Sequence, residues 1–304
     1  MSPQVDPWNP LRAMQLMKAW SNSVNKQEYV SPLIVKDRDE YLQANLEKNN
    51  NTIPSVRYLN ARELLSLGFY MLFLARNKLS LRFYFSENQL NNIKQEFLEK
   101  TSKKLSKNDI LCAHIFRIIS ELDAYDKKRY LSIVINYRAR IKLPQSILGN
   151  FVSTTNILTD QRVDPFQLAQ ELRASVDNFQ RLNMNFFATK EYIKEKSGIK
   201  KIDRFVDLSI APLKRTLLVT NWINFGVYNI IFGEAKPFFF SSFGDYSFPW
   251  LSSITEGFSN NGLVYSVLLP TKLAKKLMQN DSFRKIHKYR DQKEVMPELV
   301  GKLG

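Results

Sequence analysis

At 304 residues, 44% apolar and 12% aromatic with only ten glycines, the chain can bury a substantial core and does not have the composition of a disordered one. Lys and Arg outnumber Asp and Glu by 44 to 29, a formal charge of +15 that favours nucleic acid, anionic lipid or a phosphorylated cofactor without choosing among them. The single cysteine, Cys112, excludes an internal disulfide framework, and no Cys/His spacing has the form of a zinc site, so no metal is expected.

"MSPQVDPWNP" carries an acid and prolines where a secretion signal needs a basic start and an apolar run. The longest apolar segments, "LLSLGFYMLFLA" and "GLVYSVLLP", fall short of the roughly 18 to 20 residues that span a bilayer. A cytoplasmic protein with no transmembrane segment is expected.

Asn9 as N-cap and Pro10 at the first helical position open a helix with Leu11, Met14, Met17 and Trp20 at helical spacing. Residues 26–57 are polar and read as a crossover or linker. "FYMLFLA" and "LSLRFYF" read as two strands about a short turn, being rich in aromatic and branched residues. Ser86 and Gln89 form the pattern of a capping box, ahead of a helix with Leu90, Ile93 and Phe97 on one face.

"SKNDILCAHIFRIISEL" is apolar on nearly every side and reads as a buried helix starting at Ser106, with Asp109 three residues on. "RYLSIVINYR" and "FVSTTNILT" read as strands on either side of the loop "LPQSILGN", and Asp164 caps a helix through Leu168, Leu172 and Val176. Three more strands are expected at "TLLVTNW", "VYNIIF" and "GLVYSVLL", the last feeding a helix capped near Thr271. Strands and helices mix without a repeat, which gives an α/β or α+β class with a mixed sheet.

Chemistry is sparse. Of the two histidines, His114 sits in the buried helix and reads as a core residue, while His287 lies in the basic run "FRKIHKYRDQK", a solvated helix face or tail. No nucleophile elbow, Walker loop, Rossmann glycine pattern or zinc-protease signature occurs.

Six stretches in fixed order, "SKNDILCAHIFRI", "VINYRARIKLP", "LGN", "TNW", "YNIIFGEAKP" and "GLVYSVLLPTKLAKKL", resemble the landmarks of the second lobe of the BAHD acyl-CoA-dependent acyltransferases. They are spread over residues 106–277, more than half of the chain; condensation domains of the same superfamily share some of them. The resemblance implies a chloramphenicol acetyltransferase-like mixed sheet flanked by helices. Residues 86–304 would be the second lobe, and residues 1–85 a remnant of the first with the crossover.

The family's Asp-Phe-Gly-Trp-Gly turn, a structural element near the solvent channel, matches Ile231, Phe232, Gly233, Glu234 and Ala235, followed by Lys236-Pro237. Phe-Gly is kept; the acid, the Trp and the second Gly are not, and Glu234 is expected to face solvent. The family's His-x-x-x-Asp motif places Asp6 on the structural Asp, with Arg138 its expected partner, and Ser2 on the catalytic His. Thr220 of "TNW" matches a hydroxyl lining the coenzyme A channel. The resemblance implies an O- or N-acyltransferase with acyl-CoA as co-substrate, no bound cofactor, and a small hydroxyl- or amine-bearing acceptor. Because Ser2 supplies no general base, the chain is expected to be a truncated form, weakly active or inactive, with self-association or a first-lobe partner at its exposed apolar surface. The alternative is a non-catalytic binding or scaffold protein that holds an anionic partner on the same half-fold; sequence-specific nucleic-acid binding is not expected.

Overall fold

The structure, a computed structural model, describes residues 10–291 except 30, 36, 38–39, 42–43, 45–53, 55, 124, 126, 141, 145, 148–150, 161, 180–185, 197–200, 202–203, 208–213 and 242–248. Pro10 opens α1 (Pro10–Val24), as its fixed φ suits a first turn; the expected cap Asn9 lies outside the described residues. A short strand β1 (Val56–Tyr58) then leads to α2 (Ala61–Phe69), which runs on as a π-helical turn, Tyr70–Leu74.

This corrects the strand expected at "FYMLFLA". Asn60 accepts from the Glu63 N–H, Glu63 returns to the Asn60 N–H, and this reciprocal cap starts a helix that the apolar run simply continues. Aromatic content is only a weak preference for strand, and a cap with good helix formers behind it outweighs it.

The remaining elements are β2 (Lys78–Phe85), α3 (Glu87–Thr101), α4 (Lys107–Leu122), β3 (Arg129–Asn136), β4 (Val152–Thr159), α5 (Pro165–Asp177), α6 (Phe186–Lys196), β5 (Phe205–Asp207), β6 (Leu217–Asn221), β7 (Leu251–Glu256), β8 (Leu263–Pro270), α7 (Thr271–Leu277) and α8 (Asn280–Ile286). Ser106 and Asp109 complete a capping box at α4, and Asp164 accepts from Gln167 N at 3.1 Å to start α5. At α3 only half the expected box forms: Ser86 accepts from Gln89 N, but the Gln89 amide turns to His287 Nδ1, 3.2 Å away. Thr271 is the first residue of α7 and not its cap; Pro270 holds that position, and Thr271 N donates to Asn77 O. "VYNIIF" is not a strand, because Gly226 at φ 71 turns the chain into a 3-10 turn, Val227–Asn229.

Six strands form one sheet in the order β2-β8-β7-β6-β3-β4, while β1 and β5 pair separately. The β7–β6 and β6–β3 pairs are parallel and the outer pairs antiparallel, so the expected mixed α/β class is the one that forms. Alternation sends Leu81, Phe83 and Phe85 of β2, Leu131 and Ile133 of β3, Leu217 and Val219 of β6 and Tyr265 and Val267 of β8 to one face. There they pack with α3, α4, α5, α7 and α8. At the end of α4, Asp123 takes Arg129 Nη1 at 2.9 Å and also Arg215, tying the helix to the start of β3 and the approach to β6.

The turn before β8 depends on Gly262, whose φ is +67 and whose added Cβ would stand 2.3 Å from Phe85 O. Gly262→Ala should cost at least about 1–3 kcal/mol in a urea titration. Gly68→Ala, in open space within α2, should instead stabilise by about 0.5–1 kcal/mol.

Candidate functional site

The face of the sheet turned away from the helices carries a row of polar side chains set by register. Thr220 of β6 pairs with Ser253 of β7, Ser253 with Ser266 of β8, and Ser266 with Arg82 of β2. Ser253 and Ser266 are buried, and Thr220 is half-buried at the end of the row. Arg82 Nη2 donates to Ser241 Oγ at 3.4 Å, while its buried Nε has no partner among the described residues.

The loop after β6 begins where this row ends. Trp222 Nε1 donates to Thr220 Oγ1 at 2.9 Å, and its ring stacks on Phe225 with centroids 5.8 Å apart. Asn221 Oδ1 accepts from Ile223 N, Glu256 accepts from Asn224 N, and Tyr228 OH donates to Gly257 O, so the loop is held along its length. Further along, Phe232 and Ala235 exchange both backbone hydrogen bonds across a tight turn. Gly233 at φ 61 occupies the first central position, where a positive φ favours glycine; Glu234 and Ala235 are exposed.

Ser21 in the last turn of α1 and Asn25 just beyond its end grip this turn. Ser21 Oγ accepts from Ile231 N at 2.9 Å and donates to Ile231 O at 2.5 Å. Asn25 Nδ2 also donates to Ile231 O, and Asn25 Oδ1 accepts from Gly233 N at 3.0 Å. Trp20 meets Phe232 edge to face at 5.1 Å. The side chain of Ile231 is apolar, so the contacts to Ser21 and Asn25 run through its backbone alone.

On the other side of the β6 loop lies a polar groove of about 460 Å3 whose lining includes Asn221, Asn224, Arg140, Arg173, Asn136 and Asp109. Arg173 pairs with Asp177 at 2.7 Å and lies 3.6 Å from Asp109; burial raises the Asp109 carboxyl above its usual range, against the cap and Arg173, which lower it. A second groove of about 570 Å3 runs beside α1, between Lys18 and Asn22 on the helix and Tyr29, Pro32 and Ser146.

Both histidines lie on the helical side, far from this chemistry in the sense that matters: they are enclosed. His114 donates from Nε2 to Ile286 O at 3.0 Å, as a core histidine. His287, expected in a solvated run, is buried among Phe83, Phe85 and Phe283, because the chain after α8 folds back onto the core. Burial lowers both from 6.5 to about 4, and it raises the Cys112 thiol. Arg138 is buried with its guanidinium 4.7 Å from the Phe151 ring and donates to Asn136 Oδ1. Ser2 and Asp6 lie outside the described residues.

Residues 15–280 match the profile of the Transferase family. The chain belongs to that family, whose members are the BAHD-type acyltransferases. Comparison with curated proteins finds no match. Among solved structures, this transferase-family chain resembles vinorine synthase, at a TM-score of 0.61 and 17% identity over 88% of the chain and 57% of that protein. It also resembles TRI101 of F. graminearum, determined with coenzyme A and T-2 mycotoxin, at a TM-score of 0.65 and 13% identity over 91% of the chain and 63% of that protein. TRI101 of F. sporotrichioides, with coenzyme A and T-2, gives 0.62, 15%, 91% and 63%. The chain thus spans about three fifths of the length of these structures, and their likeness establishes the fold.

Sequence reading singled out Thr220 and the residues from Ile231 to Ala235 but missed Ser21, Asn25, Ser253, Ser266 and Arg82. The alternation of Ser266 between Tyr265 and Val267 was a signal for the row; nothing local marks Ser21 or Asn25, whose partners lie about 210 residues away. Ser21→Ala should cost about 1–3 kcal/mol in chemical denaturation, because it strands the Ile231 N–H and leaves the Ile231 C=O to Asn25 alone, and limited proteolysis should open the 231–235 turn first. In the folded chain both imidazoles refuse protons that the unfolded chain accepts between pH 6.5 and 4, so stability should fall as pH drops through that window. His114→Gln or His287→Gln should flatten the decline.

Proposed function

We propose that this chain is the second lobe of an acyl-CoA-dependent O- or N-acyltransferase, with residues 86–304 forming the lobe together with β2, which pairs with β8, and the residues before β2 forming the end of the first lobe and the crossover. What carries the reading is the sequence of features along one loop in a Transferase-family chain: half-buried Thr220 beside Trp222, then the Phe232–Gly233 turn held by α1. Its substrates would be an acyl-CoA and a small molecule bearing a hydroxyl or amine. The neighbouring TRI101 structures hold coenzyme A, which supports the donor class.

Thr220 would offer a hydroxyl to the donor, and Arg140 and Arg173 in the groove behind the same loop would offer guanidinium groups to its phosphates. Asp6 would pair with buried Arg138 and so fix the start of α1. The transfer step needs a base to take the proton of the acceptor as it attacks the thioester carbon and the thiolate leaves. Ser2 stands in the position of that base, and a serine there lowers the rate by a factor of about 100 to 10,000. Neither imidazole can replace it from within the helical side.

Buried histidines and a charge of +15 favour a second reading, a binding or scaffold protein on the same fold that holds an anionic partner. Calorimetric titration of the full chain with coenzyme A and with a single-stranded oligonucleotide, at about 0.15 M salt, separates the two. Under the transferase reading coenzyme A binds and Thr220→Val weakens it roughly 2- to 10-fold, the worth of one hydrogen bond. Release of free coenzyme A from acetyl-CoA stays at background. Preference for the oligonucleotide, with no coenzyme A binding, would establish the scaffold reading; rapid turnover would remove Ser2 from the position of the base.

A further inference from the structure

The outer face of α2 and its π-helical extension has no role in the site. Leu65 is 75% exposed, Phe69 58%, Leu72 57% and Phe73 64%. At spacings of four, seven and eight residues from Leu65 they lie along one side of the helix, and the Phe69 and Phe73 rings are 4.8 Å apart. No residue of α2 is buried; the element is held from behind through Tyr70 and Ala75. Burial pushes the Tyr70 hydroxyl up to about 12. A contiguous stripe of four large apolar side chains in water marks a contact surface.

Charge narrows what the surface contacts. Arg62 is exposed in the first turn of α2, Arg76 is exposed just past the end of its π-helical extension, and Lys78 follows, half-buried, at the start of β2. The one acid between residues 61 and 78, Glu63, is occupied by the Asn60 cap and by Arg57 at 2.6 Å. A second copy docked antiparallel on the stripe would set arginine against arginine at both ends and bring together two chains of +15. The element, Ala61–Leu74, is too short to cross a bilayer, and no helix among the described residues is long and apolar enough to do so.

We propose that this face docks onto an anionic lipid surface. The helix lies in the plane of the membrane, Leu65, Phe69, Leu72 and Phe73 enter the boundary between headgroups and acyl chains, and Arg62, Arg76 and Lys78 meet lipid phosphates as their stems reach outward. The cations act near the surface and lose strength with salt.

Flotation of the purified full chain with vesicles of equimolar phosphatidylcholine and phosphatidylserine tests this against vesicles of phosphatidylcholine alone. Binding to the anionic vesicles is expected, roughly 10- to 100-fold tighter than to the neutral ones. Phe69→Ser with Phe73→Ser should abolish it, and Arg62→Glu with Arg76→Glu should weaken it by at least about tenfold. Because these side chains are exposed, circular dichroism and melting should match the parent chain, and that match is the control. No flotation of the parent chain, or flotation unchanged by the double serine variant, overturns the proposal. A dimer in solution that the serine variant dissolves, without vesicle binding, assigns the stripe to a second copy instead.

Discussion

A helix that is apolar on every side can exist only if something surrounds it, and α4 imposes that condition on the rest of the chain. Eleven of its sixteen residues are buried, so no single partner can satisfy it. The sheet covers one side through β6, and α3, α5, α7 and α8 close the others. The polar ends of the helix are fixed as tightly as its flanks: Ser106 and Asp109 cap one, and the two arginines on Asp123 close the other. Enclosing α4 in this way leaves the opposite face of the sheet for hydroxyls, Arg82 and the loop after β6.

That division explains where the titratable groups went. Side chains on the helical side are desolvated, which keeps His114 and His287 neutral and Cys112 a thiol. Groups able to bind a polar ligand sit at strand ends and in the loop from Thr220 to Phe225. The carboxylates of this region, Asp109 in the groove and Glu256 under the loop, are engaged by the α4 cap and by the Asn224 N–H.

Elements with a local cause were legible in the sequence. Ser106, Asp109 and Asp164 marked helix starts, and the apolar, β-branched runs "RYLSIVIN" and "LVYSVLLP" read as strands. Elements decided by distant contacts or by one backbone angle were not. Gln89 was read as part of a cap because its draw toward His287, nearly two hundred residues on, has no local signature. "VYNIIF" has the composition of a strand, and the positive φ of Gly226 overrides it. The site was half legible: resemblance pointed to Thr220 and Phe232–Gly233, whereas the grip of Ser21 and Asn25 becomes visible only once α1 has docked.

The pairing of β2 with β8 carries a consequence for synthesis. Leu79 finds its partner in Leu269, about 190 residues later, and the same pairing closes the sheet at that edge. At translation speeds of roughly 5–20 residues per second, β2 waits on the order of ten to forty seconds for the strand that covers it. During that interval Leu81, Phe83 and Phe85 are outside any sheet, beside the apolar run of α2. Apolar surface exposed in this way favours aggregation, and a pause placed between the codons of β2 and those of β8 would lengthen the exposure, whereas one placed before β2 would not.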